Sequence, residues 1–302
     1  MRPISAQTIL NRFNSYTKQT HPSSFVIPRL RLYIPNYRLV CVTARPGMGT
    51  TAFLMDIIRH NSCKYDQPVL AYFNSFSNQH TLMNRFIAIA SLSPFKSDKY
   101  NFDDETCKTE KEKYLDELDK KNIPVLHNVF KKSKIYFSDL PSNNPNAFIR
   151  KLRSDIAKTK PAYIIMDDLH LLSNLKYFDE INDVVKLQHK SQSLVAALYN
   201  FQKSNSIPII FSIPQTRDME YRGGWKYPEI CFILDPAAQY YSDAIITLYR
   251  PDFYGIEEDE ESKMKNRFDI HLVKNNVGDE KQIRVVFKPG YSNIFSETEF
   301  PD

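Results

Sequence analysis

The segment Leu39–Asp56 contains the residues best suited to chemistry, in the order LVCVTARPGMGTTAFLMD. An apolar run leads into a short turn that contains Gly47 and Gly49, and a helical pattern follows. In a strand–turn–helix of this kind, successive backbone N–H groups and the helix N-terminus face a phosphate group. A Ser or Thr hydroxyl at the start of the helix binds Mg²⁺, and Thr51 supplies it here. The segment therefore predicts a phosphate-binding loop.

Thr50 stands at the position where such a loop normally has a lysine that contacts the β and γ phosphates. Loss of that charge-assisted contact weakens ground-state binding by roughly 1.5–3 kcal/mol. The loss is larger where negative charge develops during phosphoryl transfer. Binding of a nucleotide can survive this substitution, whereas efficient hydrolysis is not expected to.

Alternating strand and helix patterns must position this loop. Apolar runs predict strands at Leu39–Thr43, Val69–Phe73, Lys134–Phe137, Tyr163–Asp167 and Pro208–Ile213. Helical patterns lie between them at Thr51–His60, Gln79–Ser91, Ala147–Lys158 and Asn182–Ser204. This alternation predicts an α/β fold with a mostly parallel sheet flanked by helices. Three later strands without a long helix between them predict an antiparallel C-terminal extension: Ala244–Tyr249, Phe268–Lys274 and Gln282–Phe287.

Composition excludes several classes of protein. With 302 residues, 42% of them apolar and 25% charged, the chain is suited to a folded globular domain. The four cysteines show no paired spacing, which excludes a disulfide scaffold and a zinc ribbon. No apolar run is long enough for a membrane helix and no signal peptide is recognisable, so we expect a soluble, cytoplasmic protein with no membrane partner. The net charge of +5 permits an anionic partner.

Five collinear segments resemble the DnaB-type replicative helicases. ARPGMGTTAF is similar to the phosphate loop of that family, which also begins Ala-Arg-Pro and normally ends Gly-Lys-Thr-Ala. Four further segments match in the same order: PAYIIMDDLHLLS (161–173), IPIIFSIPQTRDMEYR (207–222), SDAIITLYRPDFY (242–254) and IHLVKNNVG (270–278). The resemblance spans roughly residues 25 to 295 and implies a RecA-like P-loop fold. It also implies a DNA-replication function and ATP, or another nucleotide with Mg²⁺, as ligand.

The resemblance assigns site residues by position. Asp167 corresponds to the Mg²⁺-coordinating aspartate that follows the second motif's strand, so Thr51 and Asp167 are the implied metal ligands. His170 stands where the family commonly has glutamine, and Lys274 corresponds to a lysine that reaches a neighbouring subunit's nucleotide. The implied nucleotide-binding residues are Arg45, Pro46, Gly47, Met48, Gly49, Thr50, Thr51, Ala52, Asp167, His170, Gln215, Arg250 and Lys274.

Three further departures from the family concern catalysis and DNA. Asn74 or Ser75 occupies the position of the catalytic glutamate, and Asn276 that of the arginine finger. An arginine finger contributes orders of magnitude to turnover. The segment Ile230–Gln239, which corresponds to the DNA-contacting loop, reads ICFILDPAAQ and contains no basic residue.

Three functions are therefore open. The first is a catalytically impaired nucleotide-binding or scaffold relative of the helicases, assembled as a homo-oligomer or with a replication protein. The second is an active ATP-dependent DNA helicase. The third is a nucleotide-independent single-strand DNA-binding module, for which Arg29–Arg38 and Lys131–Lys134 supply basic segments.

The chain divides into an N-terminal helix and linker, 1–24, and the RecA-like domain, 25–302. Ser5 can cap a helix that ends near Tyr16, with its apolar residues on one face. That stripe predicts a buried helix, docked on its own domain or on a neighbour. Arg250 and Lys274 have the alternative interpretation of solvated surface cations.

Overall fold

The computed structural model describes residues 25–27, 32–34, 39–73, 133–138, 145–169, 184–222, 226–254, 267–276, 278–288 and 293–295. Four predicted features lie outside these residues: the helices Ser5–Tyr16 and Gln79–Ser91, the carboxylate position at Asn74 or Ser75, and His170.

The strands form one large sheet and one hairpin. Their bounds are β1 Phe25–Ile27, β2 Leu32–Ile34, β3 Leu39–Ala44, β4 Val69–Phe73, β5 Ile135–Ser138, β6 Tyr163–Asp167, β7 Ile209–Pro214, β8 Ala244–Tyr249, β9 Arg267–Asn275, β10 Lys281–Lys288 and β11 Asn293–Phe295. Within the described ranges, nine strands form a sheet in the order β11-β10-β9-β8-β3-β7-β6-β4-β5, and β1 pairs with β2 in an antiparallel hairpin.

The sheet is parallel over six strands and antiparallel beyond them. β3 lies between β7 and β8 and is parallel to both, and β6, β4 and β5 continue the parallel part. β9, β10 and β11 then pair in antiparallel fashion. The predicted mostly parallel sheet with an antiparallel C-terminal extension is confirmed.

Helices cover both faces of this sheet. Their bounds are α1 Thr50–Ile58, α2 Pro145–Thr159, α3 Val184–Asn205 and α4 Pro236–Tyr241. α1 packs on one face with alternate side chains of β3, β8 and β9, among them Val42 and Ile246. α2, α3 and α4 pack on the other face with the intervening side chains, among them Cys41 and Ile245. Because β3, β4, β6, β7 and β8 are buried on both faces, they read as continuous apolar runs in the sequence.

Two elements were not predicted. The hairpin of β1 and β2 has three-residue strands, which are too short to show a periodic pattern. α4 lies inside the segment that was interpreted as a loop, although Asp235 and Pro236 are an N-cap and a first helical residue of favoured type. Among the described residues, no helix is long and apolar enough to cross a membrane.

Candidate functional site

The phosphate loop, residues 45–49, connects β3 to α1 at the carboxyl edge of the parallel strands. Gly47 and Gly49 adopt left-handed backbone angles, with φ of 85° and 92°. The side chain of Met48 is buried and anchors the turn in the core. Because Gly49 is the N-cap of α1 and has no side chain to accept hydrogen bonds, the first N–H groups of the helix are left for a bound anion.

Space as well as backbone angle requires glycine in this loop. A Cβ atom at Gly47 would lie 2.8 Å from Cε2 of Phe253, and one at Gly49 would lie 3.3 Å from the ring of Phe268. Both glycines therefore allow aromatic rings of the C-terminal third to pack against the loop.

A carboxylate held by two hydroxyls lies beside α1. Asp167 ends β6 and is 8% exposed. Its Oδ2 accepts a 2.6 Å hydrogen bond from Oγ1 of Thr51, and its Oδ1 accepts a 2.7 Å bond from Oγ of Ser212 on β7. The structure thus brings the two residues of the predicted metal site into direct contact.

This pair fits Mg²⁺. The ion is usually held by one or two protein oxygens together with water and substrate phosphates, rather than by a full cage of side chains. One hydroxyl and one carboxylate at the start of α1 match that donor set. Within the described ranges, no group of three or more His, Cys, Asp or Glu side chains could hold a metal ion.

Ser212 was not identified from the sequence. It lies in the middle of the apolar run of β7 and is buried, so its hydroxyl needs a partner inside the protein. A single polar residue in a buried strand was the available signal, but the identity of its partner depends on β7 lying beside β6.

Arg45 is directed away from the loop that it precedes. Its Nε donates to Oε1 of Glu220 at 2.8 Å, and one terminal nitrogen donates to the carbonyl of Gln215 at 2.8 Å. Glu220 belongs to a 3-10 turn, Arg217–Tyr221, that follows β7. Burial raises the pKa of Tyr254, and the charge of Glu220 adds to the effect while that of Arg45 opposes it. Arg45 therefore ties the end of β3 to the segment after β7.

Gln215 lies directly beyond β7, and its N–H donates to the carbonyl of Ala44 at 3.0 Å. Its side chain is 2% exposed. Among the residues that the structure describes, neither polar atom of this side chain has a hydrogen-bond partner. A buried amide of this kind beside the loop is consistent with the predicted contact to a ligand.

Arg250 follows β8 and reaches the phosphate loop. One terminal nitrogen donates to the carbonyl of Gly47 at 3.3 Å, and the other donates to Oδ2 of Asp252 at 2.9 Å. The guanidinium lies 5.0 Å from the centroid of the Phe287 ring. Arg250 is only 9% exposed, so the interpretation of a solvated surface cation is wrong for this residue.

Lys274 lies at the opposite edge of the parallel strands. It pairs with Ile245 near the start of β8, whereas Arg250 follows the end of that strand. At about 3.3 Å per residue, this separation is roughly 16 Å. Its Nζ donates to the carbonyl of Gln239 at 2.7 Å, and burial lowers its pKa. Any contact between Lys274 and a nucleotide therefore requires the nucleotide of a neighbouring subunit.

The remaining loop residues frame the helix start. Pro46 is exposed, Thr50 opens α1 and is partly exposed, and Ala52 is buried. The structure therefore brings together residues 45–52, Asp167, Gln215 and Arg250, and it leaves Lys274 apart.

The segment that corresponds to a DNA-contacting loop is fastened to the core. Ile233 forms a β-bridge with Gln215, and the N–H of Leu234 donates to the carbonyl of Pro214 at 3.1 Å. Asp235 then caps α4 by accepting a 2.8 Å hydrogen bond from the N–H of Ala237. Ile233 and Ala237 are buried, so this segment presents little apolar surface.

Comparison with known proteins gives one family. The sequence matches the DnaB-like helicase C terminal domain over residues 34–296. It is 22% identical over 266 residues to a probable replicative DNA helicase of Trieres chinensis, covering 85% of this chain and 52% of the relative. The chain thus spans about half the length of the known relatives that it matches.

Solved structures confirm the RecA-like fold. A solved helicase ATPase domain superposes with a TM-score of 0.70 at 20% identity, covering 98% of this chain and 99% of that domain. A DnaB-like replicative helicase, described with its interactions with primase, gives a TM-score of 0.70 at 19% identity, covering 98% of this chain and 67% of the helicase.

Proposed function

The chain belongs to the DnaB-like helicase C-terminal domain family, and from this premise we propose that it binds ATP or another nucleotide with Mg²⁺ but has lost efficient hydrolysis. In this proposal it acts as a nucleotide-responsive scaffold in the replication of DNA or of a mobile element. The predicted cytoplasmic location is part of the same proposal.

One observation carries it: the phosphate loop keeps its shape while its lysine is replaced by Thr50. Gly47 and Gly49 keep the backbone angles that let N–H groups converge on an anion. Such a cradle binds phosphate through backbone dipoles and the N-terminus of α1, without a contribution from the lysine. Transition-state stabilisation depends more strongly on the missing charge.

The metal ligands favour a nucleotide as the bound anion. Thr51 and Asp167 would hold Mg²⁺, which bridges phosphate oxygens and neutralises part of their charge when it is bound. Ser212 fixes the orientation of the Asp167 carboxylate by its hydrogen bond to Oδ1. This chain's own residues thus orient the metal ligand even though the cationic partner at position 50 is absent.

Two other substitutions favour impaired turnover. Asn74 or Ser75 stands at the implied position of the catalytic glutamate, and neither side chain can act as a carboxylate base. Asn276, at the implied position of the arginine finger, is exposed in the turn after β9. Binding and hydrolysis are therefore separable in this protein.

The scaffold role concerns assembly. We infer a homo-oligomer or a replication-protein partner, because a relative of this fold is described with primase. Lys274 already donates to the carbonyl of Gln239 in its own chain, which leaves fewer cations to complete a neighbour's site. Single-stranded DNA is a candidate further ligand of the assembly.

The test combines binding and turnover on one sample. ATP with Mg²⁺ is titrated while the midpoint of thermal unfolding and the release of phosphate are measured, with Asp167→Ala as the matched variant. We expect the midpoint to rise with ATP concentration and phosphate release to stay at background. The stabilisation should be lost in Asp167→Ala.

Two outcomes would contradict the proposal. Turnover of about 1 per second or faster that Asp167→Ala abolishes would identify an active helicase motor. Absence of any ATP-dependent stabilisation, together with salt-dependent binding of single-stranded DNA, would identify a nucleotide-independent DNA-binding module.

A further inference from the structure

The three cations predicted for the site have very different partners. Arg45 is held by the carboxylate of Glu220, and Lys274 lies about 16 Å away along β8, where it donates to α4. Arg250 is the one of the three that donates to the backbone of the phosphate loop, at the carbonyl of Gly47. A positive charge therefore lies against the loop despite the loss of the lysine at position 50.

The surroundings of Arg250 hold this charge in place and leave part of it unused. Its guanidinium lies against the Phe287 ring, and two of its nitrogens donate to Gly47 and Asp252. Among the described residues, its Nε has no hydrogen-bond partner. Arginine stays charged at every physiological pH, and its planar donors suit phosphate oxygens.

We propose that Arg250 supplies the phosphate-directed positive charge that Thr50 cannot supply, so that this site binds polyphosphate with an arginine after β8 in place of a lysine in the loop. The proposal rests on the nucleotide binding proposed above and names the residue that makes it possible. It assigns Arg250 a role in ligand affinity rather than in holding the fold.

Asp252 makes the proposal testable without removing Arg250. Its carboxylate occupies one guanidinium nitrogen at 2.9 Å, so a phosphate that approaches Arg250 competes with it. A neutral amide at position 252 would free that nitrogen and remove a repulsive negative charge. An arginine that only clamps the turn Pro251–Tyr254 would gain no affinity for anions from this change.

The experiment measures the dissociation constants of the full chain for ATP with Mg²⁺ and for inorganic tripolyphosphate by isothermal titration calorimetry. The variants are Arg250→Gln, Arg250→Lys and Asp252→Asn. Asp66→Asn is the control, because Asp66 is exposed and its partner Lys134 is also exposed. Thermal unfolding of each variant reports whether it is folded.

We expect Arg250→Gln to weaken both ligands by roughly ten- to hundredfold, the loss of one charge-assisted contact. Arg250→Lys should retain part of the affinity. Asp252→Asn should strengthen both ligands by about threefold or more, whereas Asp66→Asn should leave them unchanged. Thr50→Lys should restore affinity in Arg250→Gln by a larger factor than it improves the natural chain, because the two cations serve the same phosphates.

The failures are distinguishable. If the natural chain binds neither ligand, the proposed function and this inference are both wrong. If ATP binds but Arg250→Gln leaves both constants unchanged, only this inference is overturned. Loss of ATP binding with undiminished tripolyphosphate binding would place Arg250 on the nucleoside part and would also overturn it. Should Arg250→Gln not fold, Asp252→Asn decides, since unchanged affinity there contradicts the proposal.

Discussion

The Thr51 hydroxyl and the Asp167 carboxylate are joined by a 2.6 Å hydrogen bond although they follow and end strands that are not neighbours in the sheet. Thr51 lies on α1 after β3, Asp167 ends β6, and β7 lies between those two strands. β7 contributes Ser212, whose hydroxyl donates to the second oxygen of the same carboxylate. Three elements therefore fix one buried negative charge at the carboxyl edge of the sheet.

Ser212→Ala should lower the stability of the protein. The change removes a 2.7 Å hydrogen bond to a buried carboxylate, and bonds to charged groups contribute about 1.5–3 kcal/mol. Urea denaturation measures the free energy of unfolding. Ser204→Ala is the control, because its hydroxyl donates to a carbonyl near the exposed end of α3, and we expect a change below about 0.5 kcal/mol there. Equal losses in the two variants would contradict the role of Ser212.

Thr50→Lys should strengthen nucleotide binding far more than turnover. The new ammonium restores a charge-assisted phosphate contact, which we expect to improve the dissociation constant for ATP by about tenfold. Phosphate release should stay at background, because Asn276 and the residue at position 74 or 75 are unchanged. Thr50→Gln, of similar length but neutral, is the control for side-chain size. A parallel rise in affinity and turnover would show that the catalytic groups are present elsewhere.

Gly47→Ala should destabilise the loop for two separable reasons. The left-handed backbone, with φ of 85°, costs a non-glycine residue about 1–2 kcal/mol. The new Cβ would also lie 2.8 Å from the Phe253 ring. Combining Gly47→Ala with Phe253→Ala should recover the steric part alone, measured as the non-additive part of the free energy of unfolding.

Gly278→Ala is the matched control for this cycle. Its nearest contact would be 3.0 Å from the flexible Asn275 amide in an exposed turn. We expect a change of less than about 0.5 kcal/mol. Full additivity of Gly47→Ala and Phe253→Ala would show that the ring moves aside without strain.

Sequence reasoning located β4, β6 and β8 to the residue, because each is a continuous apolar run buried on both faces. It also identified the phosphate loop, since spacing and residue type determine that turn. The partnerships across the site were out of its reach. Arg45 and Glu220 are 175 positions apart, and Arg250 and Gly47 are 203 apart. Such contacts depend on the order of strands in the sheet, which local patterns do not contain.

Asp155 is expected to make stability depend on acidity. It is 6% exposed and accepts hydrogen bonds from Tyr72, Ser138 and Lys151 at 2.9, 2.8 and 2.7 Å. Burial by itself would raise the pKa of Asp155, but these hydrogen bonds, led by that from Lys151, outweigh burial and hold the pKa below its usual value. The folded state therefore binds the proton more weakly than the unfolded chain does.

The sign follows from this difference. Stabilisation by ionised Asp155 is fully present above the unfolded pKa of about 3.9, and it is lost as pH falls through the lower folded value. Asp155→Asn should cost about 1.5–3 kcal/mol at pH 7, and its stability should approach that of the natural chain as pH falls below about 4. Urea denaturation from pH 3 to 7 measures both curves. Asp66→Asn is the control, because an exposed pair contributes at most about 1 kcal/mol. If the curves of Asp155→Asn and the natural chain stayed parallel over this range, the stabilisation would come from packing around Asp155 and not from its charge.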